Sequence, residues 1–203
     1  MQTRRIGRTD LEVTTLSFGA AGIGNLYRPI SRDDAEATLA VAWDAGIRYF
    51  DTAPRYGHGL SEHRLGEFLR SQPRASYVIS TKVGRLLSPV PENEVPDYGF
   101  ADPLPFRADY DYSYNGVMRS VEFSLARLGT NRVEILYVHD IGVLTHGEEE
   151  NARHFRDLMD GGMKALDELK SSGAVKAIGL GVNETEVCLD VMARAPIDCI
   201  LLA

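Results

Sequence analysis

The sequence predicts an α/β fold, a (β/α)8 TIM barrel, on three observations. Short runs of β-branched and aromatic residues alternate with amphipathic segments, the order typical of βαβ units around a parallel sheet. Most of these runs are continuously apolar, so we expect strands that are buried on both faces. A dinucleotide-binding fold would need G-x-G-x-x-G between its first strand and a helix, but the glycines of residues 19–24 stand in another order and no helix follows.

Six of the apolar runs are predicted strands: residues 15–19, 47–51, 77–82, 133–139, 175–181 and 197–202. Residues 4–13 precede them and suit a small hairpin outside the barrel. A complete (β/α)8 barrel takes about 250 residues, whereas this chain has 203. We therefore expect a single barrel domain over residues 1–203 without the last two β/α units, and we hypothesise that the chain belongs to a longer polypeptide.

The amphipathic segments carry the signals of helix ends. Two segments begin at capping-box pairs, Ser31 with Asp34 and Asn183 with Glu186. Two others have an apolar face and end at a glycine: Val117, Val121, Leu125 and Leu128 precede Gly129, and Leu166 and Leu169 precede Gly173. Trp43, the only tryptophan, lies within a predicted helix near apolar neighbours, and we expect it to be a packing residue.

Residues 84–113 form a predicted long loop over the active-site mouth, because they follow a strand and show no helical period. The segment holds five of the nine prolines and several aromatic residues. Loops of this length in compact domains usually act as lids or binding loops. A decorative or partly disordered insertion is the alternative, which the aromatic content disfavours.

Composition excludes several classes of partner. The formal net charge is −7 and no basic patch is visible, which argues against nucleic acid and anionic membranes. No segment has the roughly 18 uncharged apolar residues of a membrane span, and no signal peptide precedes the first strand. Cys188 and Cys199 fit neither a disulfide framework nor a zinc site, so we expect a cytoplasmic protein. The five histidines lack compact ligand spacing, and we predict no metal site.

Polar residues stand where the predicted strands end. Asp51, Lys82, His139 and Asn183 follow the second to fifth strands, and Tyr56 lies in the loop after Asp51. Each has an ordinary structural explanation as a helix cap, a solvated rim residue or a satisfied core group. Because successive parallel strands end at one rim of a barrel, together they predict a common cavity.

The same residues make chemical sense as a unit. An ammonium close to a phenolic oxygen stabilises the phenolate, and a neighbouring carboxylate keeps that ammonium charged and oriented. Asp51, Lys82 and Tyr56 supply this arrangement, which predicts Tyr56 as a general acid and base, while His139 orients a substrate oxygen. These side chains cannot supply hydride, so a redox reaction at this site would require a cofactor.

Five sequence blocks resemble those of the aldo-keto reductase superfamily and follow one another in the same order and with the same spacing. They are Tyr49-Phe-Asp51-Thr-Ala-Pro-Arg-Tyr56-Gly, Ser80-Thr-Lys82-Val-Gly-Arg, Ser124-Leu-Ala-Arg-Leu-Gly129, Ile135-Leu-Tyr-Val-His139-Asp and Val175-Lys-Ala-Ile-Gly-Leu-Gly-Val-Asn183. Further segments resemble its branch of aldose 1-dehydrogenases (D-threo-aldose or L-fucose type) and pyridoxal 4-dehydrogenases: residues 57–66, 82–87, 112–120 and 145–147.

The resemblance implies an NAD(P)-dependent oxidoreductase that transfers hydride between nicotinamide and an aldose at its anomeric carbon, or an aldehyde or alcohol. It implies these roles: Asp51, Tyr56, Lys82 and His139 as the catalytic four, Tyr56 and His139 also at the substrate, and Gly19, Ala20, Asp51 and Asn183 at the cofactor. Val182 stands where the family usually has a serine that holds the carboxamide. The cofactor is NADP or NAD, and much of its site is expected beyond Ala203.

Two alternatives to this function stay open. Lys82 at a strand end could form a Schiff base, as in barrel aldolases, although a nearby carboxylate opposes the deprotonation that this needs. The chain could also be a non-catalytic, cofactor-binding regulatory subunit. The sequence chooses neither between NAD and NADP nor between a sugar, pyridoxal or another aldehyde as substrate, and it leaves the direction of reaction and the oligomeric state open.

Overall fold

The computed structural model of the protein describes residues 1–203 and is built on a six-stranded parallel sheet. Its strands, in spatial and chain order, are β3 (Phe18–Gly19), β4 (Tyr49–Asp51), β5 (Val78–Val83), β8 (Ile135–His139), β9 (Ala177–Val182) and β10 (Cys199–Leu202). Every neighbouring pair is parallel. This is the α/β barrel order that the sequence predicts, with its six strands in sequence.

The first strand is shorter than predicted. Only Phe18 and Gly19 of residues 15–19 pair with β4, whereas Thr15 to Ser17 are exposed. The Thr14 hydroxyl donates to the Leu16 carbonyl oxygen at 2.8 Å, which turns the chain between the hairpin and the sheet. The local pattern predicted one extended run, but a turn divides it.

Six α-helices cover the outer face of the sheet: α1 (Arg32–Asp44), α2 (Leu60–Arg70), α3 (Tyr114–Leu128), α4 (Val143–Asp157), α5 (Met163–Ser171) and α6 (Glu186–Met192). A π turn at Leu158–Gly162 joins α4 to α5, and α4 is kinked at Gly147. Short 3-10 helices occupy Gly22–Gly24, Tyr56–Gly59, Arg74–Ser76 and Glu92–Glu94. No helix has the length and apolar character that crossing a membrane would need.

The predicted helix ends have mixed outcomes. Ser31 caps α1, since its hydroxyl oxygen accepts from the Asp34 amide at 3.0 Å. Gly129 ends α3 in the left-handed conformation, with φ 61°. The capping pair predicted at Asn183 is wrong, because α6 begins at Glu186 without a side-chain cap. The Asn183 side chain instead reaches across to another strand end, as described below.

Alternation along the strands separates two apolar regions. Outward-facing residues such as Phe50, Ile79 and Leu136 pack with the helices into the main core. The inner face is lined at the amino ends of the strands by a smaller cluster that includes Tyr49 and Tyr137. Because β5 lies between the strands that carry these tyrosines, the 3.0 Å contact of their hydroxyls shows that the sheet is curled.

The predicted hairpin is present as β1 (Thr3–Arg5) and β2 (Glu12–Thr14), which pair antiparallel. Val13 packs into the inner cluster, and the Thr14 hydroxyl oxygen accepts from the Arg48 amide at 3.2 Å. The hairpin therefore covers the amino-terminal end of the sheet interior, and the opposite end carries the polar residues.

The segment predicted as a long loop contains a two-stranded antiparallel ribbon, β6 (Arg85–Pro89) and β7 (Phe106–Tyr110). The rest of the segment is tied to the connection between β3 and α1, since the Tyr27 amide donates to the Gly99 carbonyl oxygen at 2.9 Å and Leu26 bridges Phe100. The segment is thus an ordered wall beside the strand ends.

Trp43 lies in an aromatic cluster, as expected of a packing residue. Its ring stacks on Phe50 at 6.2 Å and meets the edges of Phe68 and Tyr77, while the Arg48 guanidinium covers its other face at 3.7 Å.

Candidate active site

The strand register brings the predicted polar residues to one end of the sheet interior. Asp51 closes β4 and pairs with Ser80, while Lys82 pairs with Tyr137 and His139 with Gly181. Side chains alternate along a strand, so these members point to the inner face while their neighbours enter the helix-facing core. A cavity of about 430 Å³ opens there, lined among others by Tyr56, Lys82, His139 and Asn183.

Lys82 is the centre of the site and is 1% exposed. Its Nζ donates to Asp51 Oδ2 at 2.7 Å, to the Thr52 carbonyl oxygen at 2.9 Å and to the Tyr56 hydroxyl at 3.0 Å. Burial alone would lower the pKa of this ammonium, but Asp51 and Tyr56 outweigh burial and raise the pKa of Lys82 above its ordinary value. All three protons are bound and the group stays charged, which opposes the Schiff-base alternative.

Space for the lysine side chain comes from a glycine on the neighbouring inner face. A Cβ atom at Gly181 would lie 3.2 Å from Lys82 Cε and 3.4 Å from Tyr137 Cβ. The close approach of these side chains favours glycine at this position of β9.

Asp51 is held from its other side by a buried chain of hydroxyl groups. The Ser80 hydroxyl lies 2.6 Å from Asp51 Oδ1 and 3.1 Å from the Tyr49 hydroxyl, which in turn lies 3.0 Å from that of Tyr137. Both carboxylate oxygens of Asp51 therefore have a donor, one from Ser80 and one from Lys82. The carboxylate is fixed where it orients the ammonium.

A tight turn sets the position of Tyr56. The next three residues, Gly57, His58 and Gly59, all have positive φ angles of 62°, 54° and 100°. Such angles strain a residue that has a Cβ, so glycine at two of the three positions removes most of the backbone strain of the turn. The Tyr56 ring lies 6.1 Å from the Phe100 ring of the ordered wall. Its hydroxyl accepts from Lys82, and its own proton has no acceptor in the protein.

His139 is neutral in this setting. Burial, followed by the positive charges of Arg85, Lys82 and Arg55, lowers the pKa of its imidazole well below the ordinary value. The ring meets that of Tyr56 edge to face at 6.1 Å. Its Nε2 lies 3.4 Å from Asp140 Oδ2, and the buried Nδ1 has no partner. A neutral imidazole beside the tyrosine hydroxyl can bind a substrate oxygen without adding a positive charge.

Three charged residues of the site are absent from the sequence prediction. Arg85 donates to Asp140 Oδ2 at 2.5 Å, and Asp140 Oδ1 accepts from Asn183 at 3.0 Å. Arg55 lines the cavity next to Tyr56. Each stands within three residues of a predicted catalytic position, but only the folded arrangement shows that they meet.

The residues expected at the cofactor differ in their exposure. Gly19 is exposed and a Cβ there would meet nothing within 4 Å, so its backbone is open to a ligand. Ala20 is fully buried, and the neighbouring Ala21 lines the cavity instead. Asn183 lines the cavity with its amide oxygen free, since only its nitrogen is bound to Asp140. An open backbone and a free amide oxygen fit a carboxamide-bearing nicotinamide.

Comparison with known proteins gives the family. The sequence profile described as the Aldo/keto reductase family matches residues 15–202. The chain is 47% identical to the pyridoxal 4-dehydrogenase of Microbacterium luteolum and 42% identical to the D-threo-aldose 1-dehydrogenase of a Pseudomonas species, over 100% and 95% of its own length. It spans 61% and 57% of those two relatives.

The fold agrees with this match. The aldo-keto reductase AKR11C1 of Bacillus halodurans superposes with a TM-score of 0.74 at 26% identity, over 98% of this chain and 56% of that one. The parallel strands and the polar residues at their ends define a protein with α/β barrel architecture. The sequence match shows that the chain belongs to the aldo-keto reductase family. The suspected family and branch are confirmed by these relatives.

Proposed function

We propose that the protein is an NAD(P)-dependent oxidoreductase that transfers hydride between nicotinamide and an aldose, aldehyde or alcohol, with Tyr56 as general acid and base. The observation that carries the proposal is the 3.0 Å contact from Lys82 Nζ to the Tyr56 hydroxyl, whose own proton is free. Asp51 keeps the lysine charged at 2.7 Å. The names of the two relatives support a sugar or pyridoxal-like substrate.

In the reductive direction the Tyr56 proton moves to the carbonyl oxygen as the carbonyl carbon gains hydride. The phenolate that remains is stabilised by the Lys82 ammonium 3.0 Å away, which Asp51 orients. In the oxidative direction the phenolate removes the hydroxyl proton as the same carbon gives up hydride, so an anomeric alcohol becomes a lactone. His139, neutral and buried, binds the same oxygen and aligns it with Tyr56.

The nicotinamide, when bound, supplies or accepts the hydride. Asn183 and the exposed backbone at Gly19 are the residues of this chain that we assign to hold it. Leu201 and Ala203 line the same cavity.

Substitution of the catalytic pair in the complete protein tests the proposal. Tyr56→Phe removes the proton and Lys82→Met removes the ammonium, and each should lower kcat by about 100-fold or more, because general acid–base groups contribute about 10² to 10⁴ in rate. Turnover is read at the nicotinamide absorbance with aldoses, pyridoxal and simple aldehydes. Nucleotide binding is the control and should persist in Tyr56→Phe. Turnover within tenfold of wild type in both variants would refute the assignment.

The same protein separates the alternatives. Borohydride with a carbonyl substrate traps a Schiff base at Lys82 only if the lysine is a nucleophile. A regulatory subunit would bind the nucleotide, turn over no substrate and be recovered with a stable partner.

A further inference from the structure

One cation in the active-site cavity has no counter-charge among residues 1–203. Lys82 pairs with Asp51 at 2.7 Å, and Arg85 pairs with Asp140 at 2.5 Å. Arg55 also lines the cavity. Among residues 1–203 no carboxylate lies within 4.0 Å of its guanidinium, Asp140 acts on it only from farther away, and its side chain makes no hydrogen bond. With His139 neutral, residues 1–203 therefore bring one unbalanced positive charge to the site, at Arg55.

The surroundings of Arg55 make this arrangement costly. The side chain is half-buried, and burial and the charge of Arg85 both lower the pKa of its guanidinium. The centre of the Tyr98 ring lies 4.7 Å from its central carbon, a cation–π contact. Cations in such positions are normally paired. A guanidinium that is oriented but unpaired has all its donors available for an anion.

The position of Arg55 in the chain indicates which molecule it contacts. Arg55 immediately precedes Tyr56, the residue that we assign to the reacting oxygen, and both line the same cavity. A group bound by Arg55 is thus on a molecule that also reaches Tyr56. The ordered wall adds Tyr98 and Phe100 to the lining of the same cavity.

We propose that Arg55 selects substrates that carry an oxyanion, such as a carboxylate, phosphate or phenolate, near the carbonyl or alcohol carbon. The inference rests on the proposed function and narrows its substrate class. Guanidinium groups bind such oxygens through two parallel hydrogen bonds, which adds orientation to affinity. Neutral aldehydes and sugars of the same size lack this contact.

Matched substrate pairs test the proposal in the complete protein. Butanal is compared with 4-oxobutanoate, and glyceraldehyde with glyceraldehyde 3-phosphate, each with NADPH and with NADH. Wild type should favour the anion in kcat/KM by about tenfold or more, because a hydrogen-bonded charge pair supplies about 10- to 100-fold. Arg55→Met should remove that preference, so that each anion and its neutral partner have similar kcat/KM in the variant. Arg119→Met, on the exposed face of α3, removes the same charge outside the cavity and should keep the preference.

The outcomes separate the two proposals. If wild type reduces neutral and anionic partners equally well, the oxyanion inference is overturned while hydride transfer stands. If Arg55→Met instead weakens NADPH relative to NADH with every substrate, the anion belongs to the cofactor and the inference is again wrong. If no member of either pair is turned over although another aldose or pyridoxal is, the oxyanion inference is overturned; if none of these substrates is turned over, the proposed function fails first. The wild-type comparison holds even where a variant does not fold.

Discussion

Replacing Lys82 with methionine should destabilise the fold strongly, because it leaves the Asp51 carboxylate buried without its counter-charge. The two side chains are 1% and 7% exposed and lie 2.7 Å apart. Methionine has a similar length and fills most of the volume, so the change isolates the charge rather than a cavity. Breaking one side of a buried ion pair costs about 3–5 kcal/mol. The variant also loses the hydrogen bonds to Thr52 and Tyr56.

We expect the free energy of unfolding of Lys82→Met to fall by about 3–5 kcal/mol, out of the roughly 5–15 kcal/mol that a domain has. Urea unfolding, monitored by circular dichroism, measures this free energy. An unchanged slope of the free energy against urea concentration would show that the unfolded state is the same. The double variant Asp51→Asn with Lys82→Met removes both charges and should regain a large part of the loss.

Two results would refute this account of the pair. If the free energy of unfolding of Lys82→Met fell by less than about 1 kcal/mol, the Lys82–Asp51 pair would be no stronger than exposed ion pairs, which contribute roughly 0–1 kcal/mol. A double variant as unstable as the sum of the two single variants would show that the carboxylate and the ammonium are energetically independent.

Two further predictions concern packing and pH. Gly66→Ala would place a Cβ 2.1 Å from the Leu128 carbonyl oxygen, so the free energy of unfolding should fall by about 1–3 kcal/mol. In the control Gly22→Ala the new Cβ has nothing within 4 Å, so the urea midpoint should change little. Burial lowers the pKa of four histidines in the folded protein, so below their unfolded value of about 6.5 the unfolded chain binds more protons and stability should fall from pH 7 toward pH 4; a flat urea midpoint over that range would contradict this. The four are His58, His139, His146, whose pKa falls to about 4, and His154.

Local patterns predicted all six parallel strands, the first of them too long, and the polar residues at their ends, and the reason is geometric. Parallel strands end at one rim, so a polar residue that closes an apolar run is placed by the sheet itself. Asp51, Lys82 and His139 come together in this way. Tyr56 follows because a short turn with two glycines fixes its distance from the end of β4.

Two of the errors came from contacts between segments that are distant in the chain. Asn183 has the spacing of a helix cap, but Asp140, 43 residues away, offers a carboxylate and takes its amide. The ribbon of β6 and β7 was predicted as loop because its two strands are separated by a proline-rich stretch, and their pairing needs a partner that no local period reveals. Tertiary hydrogen bonds outweighed local preference in both places.

The charged neighbours of the catalytic four follow the same logic. Arg55, Arg85 and Asp140 stand one, three and one positions from Tyr56, Lys82 and His139, so the strands and turns that place the reacting groups place them as well. Arg85 and Asp140 neutralise each other, and the positive charges around His139 contribute to keeping its imidazole uncharged. Arg55 has no such partner among residues 1–203. The catalytic four therefore define the class of reaction that we propose, whereas the unpaired charge beside them favours one class of substrate over another.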